Sequence, residues 1–500
     1  MRIAVIGSGV SGIAAAKTLA RFGHSVIVFE RSGAVGGVWA KTYPGVSLQS
    51  TWLEYRYSDF DWPVKPDINP TAEQVRAYIE AAVRHFALDV KLNHPVTAMA
   101  ETETGWRLSF DTPDGPREDA FDYVVIGTGH HTKDRAELVL PNRDRFGGEV
   151  LLPSDVESYE RFAGKTLAVV GLGKTAVDIA AHASKHARVV HNIFRAPRWL
   201  IPMRFFGRPM TRMMATRSSA MLQESWVSSP AQQKLQRRMG ASLATYWRVI
   251  GALMKFNSGY WRPGRSAAAR ARLALLNPED SVTSQFRGTM APRAYYPAVA
   301  AGRIIPHRGT IASFTADGVR LSDGSEIAAD SVVLAVGNAV PTFPFLPAAY
   351  RELLESGPDG AQLYRHAIHP RIPRLAFVGF NHCIFHVIAS EIVATWVGAV
   401  LDGGLQLPTP EEMEANTNVV AEWKQANVGF DTLRAYTVAN HFHGYFDTLL
   451  GDLGINPHRK PKLLDGYMAY RATDYAGIID DYVRSRRGGA APRHPLPLAT

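Results

Sequence analysis

The sequence predicts an α/β fold with two Rossmann-like dinucleotide-binding domains and a helical insert. Two glycine-rich turns carry this prediction, one at residues 7–12 and the other at residues 171–176. Each turn follows a short apolar run and precedes a helical pattern, which is the strand–turn–helix order of a dinucleotide-binding unit. The third observation is the length, because 500 residues exceed what one hydrophobic core supports.

The first unit occupies the beginning of the sequence. Residues 3–6 are an apolar run typical of a buried parallel strand, and residues 13–22 follow with a helical pattern that Gly23 ends. Residues 26–29 form the next apolar run, and Glu30 stands at its end. A carboxylate at this place accepts hydrogen bonds from an adenosine ribose. We therefore predict that the first unit binds the adenosine part of a dinucleotide, which we assign as FAD.

The first glycine-rich turn explains how the pyrophosphate would be held. Gly7 permits the tight turn, Gly9 lets the backbone approach the pyrophosphate, and Gly12 lets the helix pack closely on the strand. Val10 and Ser11 begin the helix, whose free N–H groups and positive dipole end face the anion. We predict that all five residues contact FAD.

The segment between the two units continues the α/β pattern. It contains a helical pattern at 73–86, strand patterns at 96–99 and 106–110, a turn at 113–115 and a buried strand at 123–126. The buried strand runs into the sequence Gly127-Thr128-Gly129. We predict cofactor contacts from Val96, Gly127 and Gly129.

The second unit starts with the apolar run 167–170. Its turn carries Gly171 and Gly173, with Ala176 in the third position. Alanine is a tolerated variant of the third glycine. We expect this turn to bind a second dinucleotide.

The second strand of this unit, residues 189–194, ends in Arg195 instead of an acid. An arginine there can pair with a 2′-phosphate, which favours NADPH over NADH. Lys174 and Thr175, at the start of the helix, are further predicted contacts. The alternative for Arg195 is an ordinary surface charge.

The composition excludes several classes of protein. The net charge of +9 forms no compact run of basic residues, although arginines are denser between Arg204 and Arg272, and no nucleic-acid-binding signature accompanies it. Cys383 is the single cysteine, so the chain forms no intrachain disulfide and has no CxxC pair that would serve as a dithiol acceptor. We expect a cytoplasmic protein, because we find neither a secretory signal nor an apolar run long enough to span a membrane.

The order of the patterns divides the chain into four parts. We predict an FAD-binding domain at 1–160 and 325–450, an NADPH-binding domain at 161–203 and 291–324, a helical insert at 204–290 and a C-terminal extension at 451–500. The insert has three interpretations: a core or scaffold, a cover for the substrate, or a contact with a membrane surface.

Several spaced motifs resemble those of the class B flavoprotein monooxygenases, which include flavin-containing monooxygenases, Baeyer–Villiger monooxygenases and N-hydroxylases. The likeness covers roughly residues 1–200 and 295–400. The motifs that carry it are Gly36-Gly37-Val38-Trp39, Tyr43-Pro44-Gly45, 54–60, Gly127-Thr128-Gly129, 171–180, Phe377-Val378-Gly379-Phe380 and 391–396.

The resemblance implies an FAD- and NADPH-dependent monooxygenase with O₂ and a small organic molecule as substrates. Such an enzyme forms a C4a-(hydro)peroxyflavin and transfers one oxygen atom from it. The resemblance places Gly37, Val38 and Trp39 beside the flavin, and Gly337 and Phe380 in the strand-end motifs that complete the cofactor sites. Members of the family often form homodimers, which implies a homodimer here. No metal ligand set is implied.

Four departures from the family pattern bear on the activity. Leu152 and Val156 replace the histidine and the aromatic residue of a hinge fingerprint, Asn338 stands where tyrosine is usual, and the insert is absent from short members. The fourth departure is Gln49, which aligns with the asparagine or aspartate near the oxygen-reacting edge of the flavin. We predict Gln49 as the catalytic and cofactor-binding residue, since its amide can donate a hydrogen bond but supplies no carboxylate. The alternative is that Gln49 only packs against the cofactor.

Three functions remain open at this point. The first is oxygenation of nitrogen or sulfur, which Gln49 favours. The second is Baeyer–Villiger oxidation of a ketone, which Tyr43-Pro44-Gly45 and the insert favour. The third is a flavoprotein oxidase, dehydrogenase or desaturase that keeps the fold without oxygen transfer. A non-catalytic binding protein is disfavoured because both nucleotide turns are intact.

Overall fold

The computed structural model describes residues 1–131, 140–282, 289–429, 433–486 and 491–495. The strands within these ranges are, in chain order, β1 (Arg2–Ile6), β2 (Ser25–Phe29), β3 (Asp89–Lys91), β4 (Val96–Glu101), β5 (Trp106–Thr112), β6 (Gly115–Phe121), β7 (Tyr123–Ile126), β8 (Glu149–Leu151), β9 (Thr166–Val170), β10 (Val189–Phe194), β11 (Leu200–Pro202), β12 (Arg204–Phe205), β13 (Arg208–Pro209), β14 (Thr289–Ala291), β15 (Ile304–Arg308), β16 (Ile311–Thr315), β17 (Gly318–Leu321), β18 (Glu326–Ala328), β19 (Ser331–Leu334), β20 (Leu375–Phe377), β21 (His382–Cys383) and β22 (Thr437–Ala439).

The helices of the same ranges surround two main sheets. They are α1 (Val10–Arg21), α2 (Ala72–His85), α3 (Lys174–Ala183), α4 (Met210–Met214), α5 (Arg217–Met221), α6 (Pro230–Arg238), α7 (Gly240–Asn257), α8 (Ala267–Ala274), α9 (Tyr295–Ala300), α10 (Ala348–Glu355), α11 (His386–Leu401), α12 (Pro410–Asn427), α13 (Phe442–Asp452) and α14 (Ile478–Arg486).

Each predicted βαβ unit lies in its own five-stranded parallel sheet. The first sheet has the order β20-β7-β1-β2-β3 and the second has the order β15-β10-β9-β19-β8. The inner strands β1, β7 and β9 are almost entirely buried, because helices cover both faces of a parallel sheet. The fold class predicted from the sequence is therefore confirmed: an α/β protein with two Rossmann-like units.

Two strands lie in a different sheet from the one that the predicted segments suggest. Glu149–Leu151 falls within the segment 1–160, and Ser331–Leu334 falls within the segment 325–450. Both belong to the second sheet, where Ser331–Leu334 pairs in parallel with Thr166–Val170 on one side and with Glu149–Leu151 on the other. Short strands at crossovers have little sequence signal of their own, and their sheet is set by the partner strand.

The first sheet is packed by helices from both ends of the chain. Helix α1 lies against α11, and its buried face joins α13 and α14 in one hydrophobic cluster around Trp396. The predicted C-terminal extension supplies Tyr470, Tyr475 and Tyr482 to this cluster. The extension therefore completes the core behind the first glycine-rich turn.

The insert is helical, as its composition suggests, and it also contains short strands. Helices α4 to α8 belong to it, and β12 and β13 form a hairpin at its beginning. Strand β14 returns to pair in parallel with β11, so that the two ends of the insert lie side by side. In the part of the chain that the structure describes, no helix has the length and apolar character that crossing a membrane requires.

Candidate active site

The first glycine-rich turn lies at the carboxyl end of β1, in the centre of the first sheet. Gly7 has φ +105°, and a Cβ atom on it would lie 2.8 Å from the carbonyl oxygen of Gly127. A Cβ atom on Gly12 would lie 1.9 Å from the carbonyl oxygen of Gly7. Both positions therefore accept only glycine, because the backbone itself fills the space.

Gly9 differs from Gly7 and Gly12 because there is free space beside its Cα atom. A Cβ atom there would meet only the Cα atom of Gly37, at 3.7 Å, among the described atoms. Gly9 also caps α1 and has no side chain that could accept from the first N–H groups of the helix. An open backbone face in front of these N–H groups fits the pyrophosphate of a dinucleotide.

Ser11 uses its side chain away from this face. Its hydroxyl lies 3.1 Å from Nε2 of His386 and accepts a hydrogen bond from the hydroxyl of Ser390 at 3.0 Å. Only the backbone of Ser11 is thus left for a cofactor. Val10 is buried in the cluster around α2 and likewise offers its backbone N–H alone.

Glu30 is buried at the end of β2 and is already fully hydrogen-bonded. One carboxylate oxygen accepts from the backbone N–H of Ser8 at 2.9 Å and from its hydroxyl at 2.8 Å. The other accepts from the corresponding groups of Ser32 at the same two distances. A carboxylate has about four acceptor positions, so a ribose hydroxyl would displace one of the serine hydroxyls. Sequence reasoning missed Ser8 and Ser32, although both are close to the acid or the turn in sequence.

The segment Gly37–Trp39 forms a single turn of 3₁₀ helix against the first glycine-rich turn. Val38 is exposed, and Trp39 donates from Nε1 to the hydroxyl of Tyr55 at 2.8 Å. Burial raises the pKa of Tyr55, so its phenol stays neutral and accepts this bond. The indole of Trp39 is therefore held in one orientation by a residue of the 54–60 motif.

The remaining predicted contacts of the first unit are dispersed. Gly127 packs against Gly12, with 2.9 Å between the Cα atom of Gly12 and a Cβ atom placed on Gly127. Gly129 is half-buried in the loop that follows. Val96 lies on β4 opposite Phe110, and Phe380 is fully buried in a hydrophobic cluster with Phe343 and Phe377. The side chain of Phe380 therefore supports the site from behind.

Gln49 lies in the loop before α2, where it contacts the end of the insert. Its Oε1 atom accepts from the backbone N–H of Met290 at 3.0 Å, and among the described residues none accepts a hydrogen bond from its Nε2 atom. Its backbone carbonyl accepts from Nδ2 of Asn69 at 3.4 Å. The amide oxygen is therefore engaged, and the NH₂ group is the end that can donate.

A second contact ties the same loop to the insert. The carboxylate of Glu54, which is fully buried, accepts from the backbone N–H of Thr51 at 2.8 Å and also bonds the hydroxyl of Thr51. Its other oxygen pairs with Arg212 of α4 at 2.6 Å. The loop that carries Gln49 is thus attached to both the beginning and the end of the insert.

The second glycine-rich turn repeats the geometry of the first. A Cβ atom on Gly171 would lie 2.2 Å from the carbonyl oxygen of Ala335, whereas nothing described lies within 4 Å of one on Gly173. Gly173 caps α3 without a side chain. Gly337 is exposed beyond β19 and is similarly open. This edge of the second sheet fits a second dinucleotide.

One of the predicted contacts of the second unit, Lys174, is paired with a neighbour in the fold. Lys174 pairs with the buried carboxylate of Asp178, one turn along α3, and Tyr43 donates to the same carboxylate at 3.0 Å. Burial raises the pKa of Asp178, and the charge of Lys174 opposes this effect. Thr175 is half-buried at the start of α3, and the bond from Tyr43 to Asp178 brings the 43–45 motif onto this helix. Arg195 is exposed just beyond the carboxyl end of β10, and the 2′-phosphate contact predicted for it from the sequence stays a prediction.

Four histidines gather beside the end of β7. The side-chain nitrogens of His130, His131 and His382 lie within 4.8 Å of one another, and Nδ2 of Asn338 lies 2.9 Å from Nδ1 of His131. Burial lowers the pKa of the neighbouring His386 to about 4, which keeps its ring neutral. Three imidazoles can bind a divalent metal at about 2.1 Å, which would require these nitrogens to move slightly closer. Their distant positions in the sequence hide the cluster.

A buried ion network supports the back of α1. Nζ of Lys17 lies 2.6 Å from Glu391 and 2.8 Å from Asp59, and the backbone N–H of Ser58 donates to Glu391 at 2.9 Å. Burial lowers the pKa of Lys17, but the charges of Glu391 and Asp59 outweigh it and raise the pKa. Burial also raises the pKa of Glu391, against the effect of Lys17. The network joins two motifs that are far apart in the sequence, 54–60 and 391–396.

Comparisons with known proteins agree with this geometry. The family model "FMO-like: Flavin-binding monooxygenase-like" matches residues 1–246. "Putative flavin-containing monooxygenase 2" of Arabidopsis thaliana is 29% identical over 82% of this chain and 88% of its own. "Flavin-containing monooxygenase 5" of Oryctolagus cuniculus is 25% identical over 91% of this chain and 83% of its own.

Two solved structures share the fold. S-allyl-L-cysteine S-oxygenase from Allium sativum superposes with a TM-score of 0.63 at 20% identity, covering 97% of this chain and 94% of its own. Cyclohexanone monooxygenase from Rhodococcus sp. Phi1, bound to NADP⁺, superposes with a TM-score of 0.62 at 18% identity, covering 85% of this chain and 88% of its own. The first is named for oxygenation of sulfur and the second for a ketone.

Proposed function

We propose that this chain is a member of the flavin-binding monooxygenase-like family of flavoprotein monooxygenases, whose model matches residues 1–246. We further propose that it transfers one oxygen atom from O₂ to nitrogen or sulfur of a small organic molecule. The cofactors are FAD on the first unit and NADPH on the second. The observation that carries the choice of nitrogen or sulfur is the orientation of Gln49, whose oxygen is held by Met290 and whose NH₂ group is left to donate.

The first unit binds FAD through backbone groups. The N–H groups at the start of α1 face the pyrophosphate across the open side of Gly9. Glu30 accepts from the ribose in place of the hydroxyl of Ser8 or Ser32. Trp39, held by Tyr55, packs at the flavin. Bound flavin, once reduced by NADPH, supplies the oxidising chemistry with O₂.

The second unit binds NADPH and selects its phosphate. The open face of Gly173 and the start of α3 take the pyrophosphate, and Arg195 pairs with the 2′-phosphate. Lys174 contributes less to this recognition than the sequence suggests, because Asp178 already neutralises it. We expect Arg195, at the exposed end of β10, to contribute most to the preference for NADPH over NADH, because its guanidinium can pair with the 2′-phosphate.

Gln49 supplies a neutral hydrogen-bond donor at the reacting edge of the flavin. A hydrogen-bond donor that is already in position stabilises the charge that develops on oxygen during the reaction. In other enzymes, removal of one such donor lowers the rate by about 10²–10³-fold. Gln49 offers no carboxylate, so it lacks the group that the resemblance associates with ketone oxidation.

A product assay under ¹⁸O₂ tests this proposal. The flavin-loaded protein is supplied with NADPH in three separate reactions, which contain a tertiary amine, a thioether or a cyclic ketone. The masses of the products are measured by mass spectrometry. We expect one ¹⁸O atom in an N-oxide or S-oxide. A ring-expanded ester from the ketone alone would instead establish Baeyer–Villiger chemistry. Consumption of NADPH with hydrogen peroxide as the sole product, for every compound tested, would refute oxygen transfer.

We propose the cytoplasm as the setting, because the single cysteine makes no intrachain disulfide and burial raises the pKa of its thiol to about 12. Cys383 thus stays protonated and unreactive. The homodimer implied by the resemblance is checked by sedimentation velocity of the flavin-loaded protein.

A further inference from the structure

Helix α7 of the insert is apolar and yet exposed. Only Gly251 and Met254 among its 18 residues are buried, and only Arg248 and Lys255 are charged. A helix on the surface of a water-facing protein normally turns its polar side outward. The composition of α7 therefore points to a partner that covers it.

The exposed apolar side chains of α7 form one stripe. Tyr246, Val249, Leu253 and Phe256 follow each other at intervals of three or four residues, which places them on one side of the helix. Val249 is 52% exposed and Phe256 is 55% exposed. The stripe runs along the C-terminal two-thirds of the helix.

The β12–β13 hairpin extends this stripe. The side chain of Asn257, at the end of α7, accepts from the backbone N–H of Phe206 at 3.1 Å and donates to the carbonyl of Arg204 at 2.7 Å. These two bonds hold the hairpin tip, whose Phe206 is 58% exposed, next to Phe256. Trp261 is half-exposed in the loop that directly follows α7. We call the four stripe residues, Phe206 and Trp261 the apolar face.

The charge of the insert identifies the chemistry of the partner. Residues 204–290 contain fourteen Lys and Arg but only three Asp and Glu, a net charge of +11. The remaining residues contain 41 basic and 43 acidic side chains, a net charge of −2. The positive charge of the whole protein therefore resides in the insert.

Many of these cations are available on the surface. Arg204 and Arg208 flank Phe206 on the hairpin, and Arg262 follows Trp261. Among the described residues of the insert, the exposed basic ones are Arg204, Arg208, Lys234, Arg237, Arg238, Arg248, Arg262 and Arg270. Aromatic and aliphatic side chains bordered by arginines are the composition that binds at the interface of a bilayer containing anionic lipid.

We propose that the apolar face and its surrounding arginines dock the protein on the surface of an anionic lipid bilayer. The side chains of the apolar face enter the boundary between headgroups and acyl chains, and the arginines pair with lipid phosphates and carboxylates. The attachment is peripheral, in keeping with the lack of a membrane-crossing helix among the described residues. It would bring apolar substrates dissolved in the membrane within reach of the loop that Gln49 and Glu54 tie to the insert.

Vesicle flotation of the flavin-loaded full chain tests the proposal. We expect the protein to float with vesicles that contain phosphatidylserine and phosphatidylcholine, and to remain behind with vesicles of phosphatidylcholine alone. High salt should release it, because the attraction between charges is screened. The readout needs no substrate and no turnover, so a failure of vesicle binding can be distinguished from a failure of the proposed oxygenation.

Two pairs of variants test the residues. Val249→Ser with Phe256→Ser should weaken partition at least about tenfold, since two apolar side chains leave the lipid. The matched control is Leu353→Ser with Val483→Ser, which changes exposed apolar residues of α10 and α14 and should leave flotation unchanged. Retained flavin shows that each variant is folded.

A second set removes charge. Arg204→Gln, Arg208→Gln and Arg262→Gln together should weaken partition by on the order of 100-fold, at about fivefold for each cation. Arg107→Gln with Arg117→Gln, on β5 and β6, is the control for lost charge outside the insert. Equal loss with the control set would show a general charge effect and overturn the proposed surface.

Three other outcomes also overturn the proposal. Absence of flotation with every vesicle refutes it directly. If the unaltered protein binds no vesicles but forms a concentration-dependent dimer that Phe256→Ser abolishes, the apolar face contacts a second copy of this chain. If the unaltered protein binds no vesicles and Val249→Ser turns over a soluble substrate more slowly, the apolar face covers the substrate.

Discussion

Replacement of Lys17 by methionine is predicted to destabilise the first unit. Methionine keeps the length and most of the volume of the lysine but removes the charge that lies between Glu391 and Asp59. Glu391 is nearly inaccessible, with 3% of its side chain exposed, whereas Asp59 retains 28% and can be hydrated. Most of the loss therefore comes from one buried carboxylate left without its cation.

The magnitude follows from this geometry. Breaking a buried ion pair by removing one partner typically costs about 3–5 kcal/mol. The hydrogen bond from the backbone N–H of Ser58 to Glu391 persists and moderates the cost, so we expect about 3 kcal/mol. Because the network holds α1, whose first turn faces the cofactor, flavin should also be released at a lower urea concentration.

The assay is urea titration, with flavin fluorescence reporting release from the first unit. Lys462→Met, at an exposed lysine, is the control and should change stability by less than about 0.5 kcal/mol.

The pH dependence of the deficit has a definite sign. Burial raises the pKa of Glu391, and loss of Lys17 raises it further, so protonation at low pH favours the folded variant. The deficit of Lys17→Met should thus be smaller at low pH than at high pH, and Glu391→Gln in the same chain should recover part of it. A deficit below about 1 kcal/mol, or one that does not vary with pH, would show that the lysine and the carboxylate are not coupled as the structure implies.

Three further predictions concern the cofactor sites. Gly12→Ala should yield protein with little bound flavin, because its Cβ atom would lie 1.9 Å from the carbonyl oxygen of Gly7; the ratio of flavin to protein absorbance measures this, and full occupancy would contradict the close packing. Arg195→Gln should raise the KM for NADPH by about 10–100-fold, the worth of a charged hydrogen bond, and leave the KM for NADH unchanged; an equal rise for both would place the 2′-phosphate elsewhere. Gln49→Glu keeps an oxygen for Met290 but removes the donor, so oxygenation should fall by about 10²–10³-fold while NADPH is still consumed; unchanged product yield would reduce Gln49 to packing.

Local sequence was sufficient for the two nucleotide-binding units. Gly7, Gly12 and Gly171 are required by backbone atoms that lie in the same strand–turn–helix segment or at the end of an adjacent strand. Such constraints act over few residues and leave a fixed spacing in the sequence. The parallel sheets and the order of the two units follow from this spacing, whereas the family resemblance needed the further motifs between and after them.

Side-chain partners required the tertiary structure. Glu30 was recognisable as an acid at a strand end, but its four bonds with Ser8 and Ser32 depend on how the turn folds back. Lys174 has the right position for a phosphate, yet a carboxylate one helical turn away pairs with it. The residue pattern shows which residue types are present, but it does not show which of two available partners a given side chain binds.

Contacts between distant segments were decided by the fold alone. Gln49 meets Met290, Lys17 meets Glu391, and the histidine cluster forms beside β7 only because separate crossovers bring those segments together. Closing such loops leaves no periodic pattern in the sequence, since the entropy of closure depends on length and not on residue type. The same reason applies to α7: its apolar residues are visible in the sequence as a helix typical of a core, and only the packing of the insert shows that this face is turned to the outside.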